Sequence, residues 1–63
     1  MTPNPENIVE PLGCFFAYEW GVRYASAFDR EKVERAAEEL RRNGYHPSEL
    51  RRRSDDGRFY VRF

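Results

Sequence analysis

At 63 residues the chain is one domain, too short to bury more than about 60% of its unfolded surface. Its 11 basic and 11 acidic side chains cancel, which excludes the strong long-range attraction of a highly basic nucleic-acid binder. The single cysteine, Cys14, excludes an internal disulfide, and no Cys/His cluster suggests a structural metal.

The charge is unevenly placed. Residues 1–40 carry four basic against eight acidic side chains, and residues 41–63 carry seven against three. A charge dipole with a basic C-terminal end is expected. Arg outnumbers Lys ten to one, which suits planar interface contacts but also follows from a GC-rich genome.

Residues 1–13 are expected to form an extended N-terminal arm, because Pro3, Pro5 and Pro11 forbid a regular helix. Ile8, Val9 and Leu12 can pin part of it to the body, with the first few residues mobile. There is no basic n-region and no apolar run here, so no signal peptide is expected. A free thiol without a disulfide then fits the cytoplasm.

Residues 14–63 are expected to form the α+β domain. Residues 14–28 are rich in aromatic and β-branched types and read as strand. Period-two alternation places Phe16, Tyr18, Trp20, Val22, Tyr24, Ser26 and Phe28 against a core. As one straight strand the segment would span about 50 Å at ~3.3 Å per residue. The helix that follows covers only about 24 Å at ~1.5 Å per residue, so the segment should reverse. Gly21 is its only breaker. A three-residue loop, Trp20 to Val22, keeps face parity and sets Glu19 opposite Arg23 and Tyr18 opposite Tyr24. A single strand bent at a Gly21 bulge is the alternative.

Residues 28–45, FDREKVERAAEELRRNGY, have the pattern of one capped helix. Asp29 is an N-cap, and Phe28 with Val33 sits at hydrophobic-staple spacing. Val33, Ala36, Ala37 and Leu40 make one apolar stripe. Gly44 can take the left-handed conformation that ends a helix, with Tyr45 folding back on Leu40. Glu31–Arg35 and Glu38–Arg42 are i,i+4 pairs on the solvent face.

His46-Pro47 breaks the chain before a second hairpin. Residues 48–53 pair with residues 58–63 across Ser54-Asp55-Asp56-Gly57, since Asp-Gly is a hairpin turn signal. Phe59, Val61 and Phe63 alternate with Arg58, Tyr60 and Arg62, so one face is apolar and the other basic. A loop of two or four residues keeps Leu50 on the apolar face.

The expected architecture is a small ββαββ domain: an antiparallel sheet of about four strands with one helix packed on one face. The bare face should carry Phe15, Ala17, Glu19, Arg23, Ala25, Arg51, Arg53, Arg58, Tyr60 and Arg62.

No catalytic set assembles. His46 is the only histidine, with no second catalytic group in view. Cys14 has no local basic neighbour and reads as a small buried apolar residue. The glycines are isolated, so there is no phosphate loop, and Asp55-Asp56 alone has too few oxygens for Ca²⁺. Neither enzyme activity nor a cofactor is expected.

The feature above background is the basic, aromatic strand face. Its partner-binding residues are expected to be Arg51, Arg53, Arg58, Tyr60 and Arg62. The competing reading is a solvated outer face whose charges block edge pairing.

From Tyr24 to Phe63 the order is strand, helix with the Ala36-Ala37 pair, Gly44-Tyr45, strand, turn, strand. That order resembles half of a SPOR domain, which would imply glycan binding. It is also similar to protein inhibitors of ribonuclease E. In size and style the chain resembles small phage or mobile-element proteins, including anti-CRISPR inhibitors. That resemblance implies a non-enzymatic inhibitor that occludes a site on a larger host protein or nucleoprotein complex. The binding surface is then the five residues above, or an acidic flank of Glu31, Glu34 and Glu38 engaging a basic groove. A nucleic-acid-binding module using the same sheet face is the alternative. The expected state is a monomer, or a homodimer through the open sheet face, with no membrane involvement.

Overall fold

A computed structural model describes residues 3–63. The elements run α1 (Pro5–Val9), a short 3-10 helix (Glu10–Leu12), β1 (Phe15–Glu19), β2 (Val22–Ala27), α2 (Arg30–Arg42), β3 (Arg51–Arg52) and β4 (Phe59–Arg62). The strands form one antiparallel sheet in the order β1-β2-β4-β3. This is the expected α+β domain with ββαββ order, preceded by an additional helix.

That helix corrects the expectation of an extended arm over residues 1–13, of which residues 1–2 lie outside the described residues. Pro5 and Pro11 fall in the first turns of helical segments instead of interrupting one, and Pro3 precedes the first of them. Asn4 caps α1, its Oδ1 accepting from Glu6 N at 3.0 Å, and Pro5 sits in the first turn, where no N–H is required. Pro11 is the second residue of the 3-10 helix, likewise within a first turn. Val9 is fully buried, and Ile8 and Leu12 pack around it. The segment is part of the core.

Helix α2 matches its sequence pattern closely. Asp29 Oδ1 accepts from Glu31 N at 2.9 Å. Val33, Ala36, Ala37 and Leu40 are its buried residues. At the far end Gly44 has φ +90°, Gly44 N donates to Arg41 O at 3.2 Å, and Tyr45 N donates to Leu40 O at 3.0 Å. These paired bonds are the Schellman closure, and Tyr45 packs beside Leu40 at the core edge. On the solvent face Glu38 pairs with Arg42 as expected, but Glu34 pairs with Arg30, and no Glu31–Arg35 pair forms. Phe28 is exposed and lies outside the core that holds Val33, so the expected staple is absent.

The first hairpin differs by one residue from expectation. Glu19 opposes Val22, Tyr18 opposes Arg23, and Phe16 opposes Ala25, leaving the two-residue turn Trp20-Gly21. Both turn residues have positive φ, +53° and +74°, as a type I′ turn requires. A left-handed tryptophan costs about 1–2 kcal/mol. The compensation is tertiary. The shift turns Ala25 and Ala27 toward α2, where they meet Ala36 and Ala37 in the core. The three-residue loop would have put Tyr24 there and held the helix off the sheet. Arg23 and Ala25 therefore belong to the helix side, and Tyr24 and Ser26 to the bare side. Trp20 is 98% exposed and takes no part in the core.

The second hairpin has the expected register, with Arg51 opposite Tyr60 and Arg52 opposite Phe59. Arg53 N donates to Arg58 O at 2.7 Å across the four-residue loop. Strand β3 is shorter than the expected segment, and beyond it the pairing slips by one residue: Ser48 meets Arg62 where Glu49 was expected, its N donating to Arg62 O at 2.7 Å and its Oγ accepting from Arg62 N at 2.9 Å. Leu50 packs on the core and Val61 is fully buried, as the alternation required.

Candidate partner-binding face

Alternation along β4 places Arg58, Tyr60 and Arg62 on the side opposite Phe59 and Val61. Pairing across the hairpin brings Arg51 beside Tyr60 and Arg53 beside Arg58. All five residues expected to bind a partner thus share the face left uncovered by α1 and α2. Cross-strand pairing from β2 adds Tyr24 opposite Arg62 and Ser26 opposite Tyr60. The Tyr24 and Tyr60 rings lie 6.2 Å apart on the two central strands. They floor a shallow depression whose rim carries Glu19, Arg53 and Arg62.

The four arginines are in different electrostatic states. Arg53 is held by its own loop: Nη2 lies 3.1 Å from Asp55 Oδ2, and Nε lies 3.3 Å from Asp55 Oδ1 and 3.8 Å from Asp56 Oδ1. The hydrogen bond from Arg53 holds the Asp55 carboxyl below its ordinary range, and the same bond raises the Arg53 guanidinium further. Arg51 and Arg62 make no ion pair among the described residues.

Arg58 is the least ordinary of the set. Its guanidinium carbon sits 4.9 Å from the Phe15 ring centre and 5.0 Å from that of Phe28. Its Nε is buried and lies 3.5 Å from Asp56 Oδ2, close enough to attract but not aligned to hydrogen-bond. Phe15 and Phe28 remain 55% and 61% exposed. The result is a cation in contact with two solvated phenyl rings.

Sequence reasoning did not foresee Tyr24 and Phe28 on this face, because it gave Tyr24 to the core and Phe28 to the helix cap. The signal available was the small-residue pair Ala25 and Ala27, which fits beneath the Ala36-Ala37 stretch of a close-packed helix.

The residues set aside as candidate chemistry stay apart. His46 is exposed in the connector. Cys14 is buried, its Sγ donates to Lys32 O at 3.3 Å, and burial pushes its thiol pKa up despite the nearby Lys32. Among the described residues no group of three or more His, Cys, Asp or Glu could hold a metal ion, and no helix is long and apolar enough to cross a membrane. On the α2 flank Glu34 and Glu38 are engaged by Arg30 and Arg42.

No family model, curated protein or solved structure matches the chain.

Proposed function

We propose that this chain is a non-enzymatic binding domain that docks its bare sheet face on a partner protein. The observation that carries this reading is the contact of Arg58 with the exposed Phe15 and Phe28 rings, on the same face as the Tyr24–Tyr60 pair. Aromatic rings and arginines in one exposed patch are the composition of interface hot spots. In its narrower form the domain is an inhibitor that occludes a site on a larger nucleoprotein complex in the cytoplasm, in the manner of anti-CRISPR proteins. The target class rests on size and style, and the compartment on the unpaired thiol of Cys14.

Protein is favoured over nucleic acid because Asp55 and Asp56 neutralise Arg53 locally, which weakens the pull on a phosphate chain. The test is paired capture from the native host with the wild-type chain and with the Tyr60→Ala/Arg62→Glu variant. One protein retained by the first and lost by the second, with binding reconstituted from pure components, supports the reading. A partner held equally by both overturns it.

A second reading is favoured by one observation: Tyr24 and Tyr60 occupy adjacent central strands, flanked by the unpaired Arg51 and Arg62, as a base-stacking platform would. Titration of labelled single-stranded RNA and DNA at two salt concentrations separates the two. Salt-sensitive micromolar binding lost in Tyr60→Ala would replace the protein reading.

A further inference from the structure

Strand β1 is an outer strand of the sheet, and Glu19 at its turn end is the one charged side chain that protects it. It runs five residues, FFAYE, without proline, lysine or arginine. The opposite edge, β3, is only two residues long and is flanked by charge. Residues flanking a two-residue turn exchange both backbone hydrogen bonds, and the pattern then alternates. Glu19, Ala17 and Phe15 therefore aim their N–H and C=O groups at β2, while Phe16 and Tyr18 aim theirs outward. Cys14, the next in the outward series, confirms the phase by donating to Val9 O at 3.2 Å. No hydrogen bond outside the sheet reaches the backbone of Phe16 or Tyr18 among the described residues.

We propose that two copies of this chain pair antiparallel through β1, with Ala17 facing Ala17 at the two-fold axis. Only this register lets the outward groups of Phe16 meet those of Tyr18 from the second copy, and the reverse, for four new backbone hydrogen bonds. The side chains are self-complementary in the same register. On the helix side each Phe16 lies across from a Tyr18, forming two aromatic cross-strand pairs and covering a tyrosine that is 66% exposed in the single chain. On the bare side each Phe15 lies across from the Glu19 of the second copy. That carboxylate arrives beside the ring on which the Arg58 guanidinium rests, whose Nε has no hydrogen bond in the single chain. Alanine, the smallest side chain of the strand, occupies the axis, where the two β-carbons come closest. An unrelated extended peptide could use the same backbone edge, but it would have no reason to reproduce the Phe16–Tyr18 and Phe15–Glu19 correspondences. A second copy supplies both by symmetry. The product is a continuous sheet of eight strands whose bare face is doubled, so that two partner-binding patches lie side by side.

Light scattering and sedimentation of the pure wild-type chain decide the matter. The expected mass rises from 7.6 kDa toward twice that value with concentration. A mass of 7.6 kDa maintained to millimolar protein overturns the proposal. The register is tested by Ala17→Lys and Ala17→Glu, each of which places like charges across the axis. Each variant alone should be monomeric, and an equimolar mixture should recover the dimer. Dimers that persist in both single variants overturn the register. Tyr18→Pro removes one outward N–H without touching the bonds to β2. It should also abolish the dimer while circular dichroism shows the fold intact.

Discussion

Two arginines in this domain each contact a pair of aromatic rings, one on each side of the sheet. On the helix side Arg23 lies 5.1 Å from the Tyr45 ring and 5.2 Å from the Phe63 ring. On the bare side Arg58 lies at nearly the same distances from Phe15 and Phe28. The local chemistry is the same; the surroundings are not. Tyr45 and Phe63 pack edge-on at 5.6 Å, Phe16 joins them at 6.2 Å, and the group adjoins the core. Arg23 also reaches the Phe63 carbonyl, while Phe63 N donates to Arg23 O at 3.0 Å. Its cluster locks the end of α2 to β2 and the end of β4. Phe15 and Phe28 have no such backing and stay exposed. A guanidinium–ring contact can therefore serve stability or recognition, and what decides is whether the far sides of the rings meet protein or solvent.

The comparison can be broken most forcefully beneath the helix-side cluster. Leu40 is fully buried next to Tyr45, and Leu40→Ala should cost about 3 kcal/mol in chemical denaturation. In a domain this small that is enough to populate the unfolded state at room temperature. Next in size, Arg23→Ala should lower stability by about 1–2 kcal/mol through two lost ring contacts and the packing of its stem. Arg58→Ala should cost less, about 0.5–1 kcal/mol, because the rings that Arg58 touches are solvated on their far sides, and should instead reduce binding to a captured partner. Equal destabilisation by the two variants would erase the distinction between the clusters.

The exposed turn gives a change of opposite sign. Trp20→Asn suits a type I′ position better and leaves the core untouched, so the denaturation midpoint should rise by the equivalent of about 1 kcal/mol. A fall would show that Trp20 has a stabilising contact in solution.

The smallest effects separate the faces by pH. On the helix side burial raises the Cys14 thiol above its ordinary 9.0, so the fold favours the neutral form. That contribution is complete below the unfolded value and is lost as pH rises past it toward the folded one. Cys14→Ala should remove this alkaline slope of the unfolding midpoint. On the bare side Asp55 is lowered from 3.8 by its bond to Arg53, so its contribution is present above that value and fades as pH falls through the lowered one. Both partners are solvated, so added salt should shrink the Asp55 shift measured by NMR titration, while the Cys14 slope should be insensitive to salt.

Local patterns were legible where the information was local. The Asp29 cap, the Val33–Leu40 stripe and the Gly44-Tyr45 closure depend on residues within one helix, and each formed as its spacing indicated. The four-residue loop of the second hairpin followed from alternation and Asp-Gly, and with it came the shared face of Arg51, Arg53, Arg58, Tyr60 and Arg62. The N-terminal segment departs from its expected extended form because Pro5 and Pro11 fall in first turns, where the missing N–H costs nothing. The first hairpin departs from its expected register because face parity depends on loop length, and Trp-Gly carries no strong turn signal.

Sequence alone determined the α2 helix, the α+β class and the basic strand β4, because each rests on periodicity that a chain carries with it. Only the tertiary structure decided which side of β2 meets the helix. Tyr24 and Ala25 are neighbours, and nothing local to the hairpin chooses between them. Close packing chose, since two alanines beneath two alanines let α2 sit down on the sheet and a tyrosine would not. That choice forced Trp20 into a left-handed turn, sent Tyr24 to join Tyr60, and completed the candidate site on the face the helices leave bare.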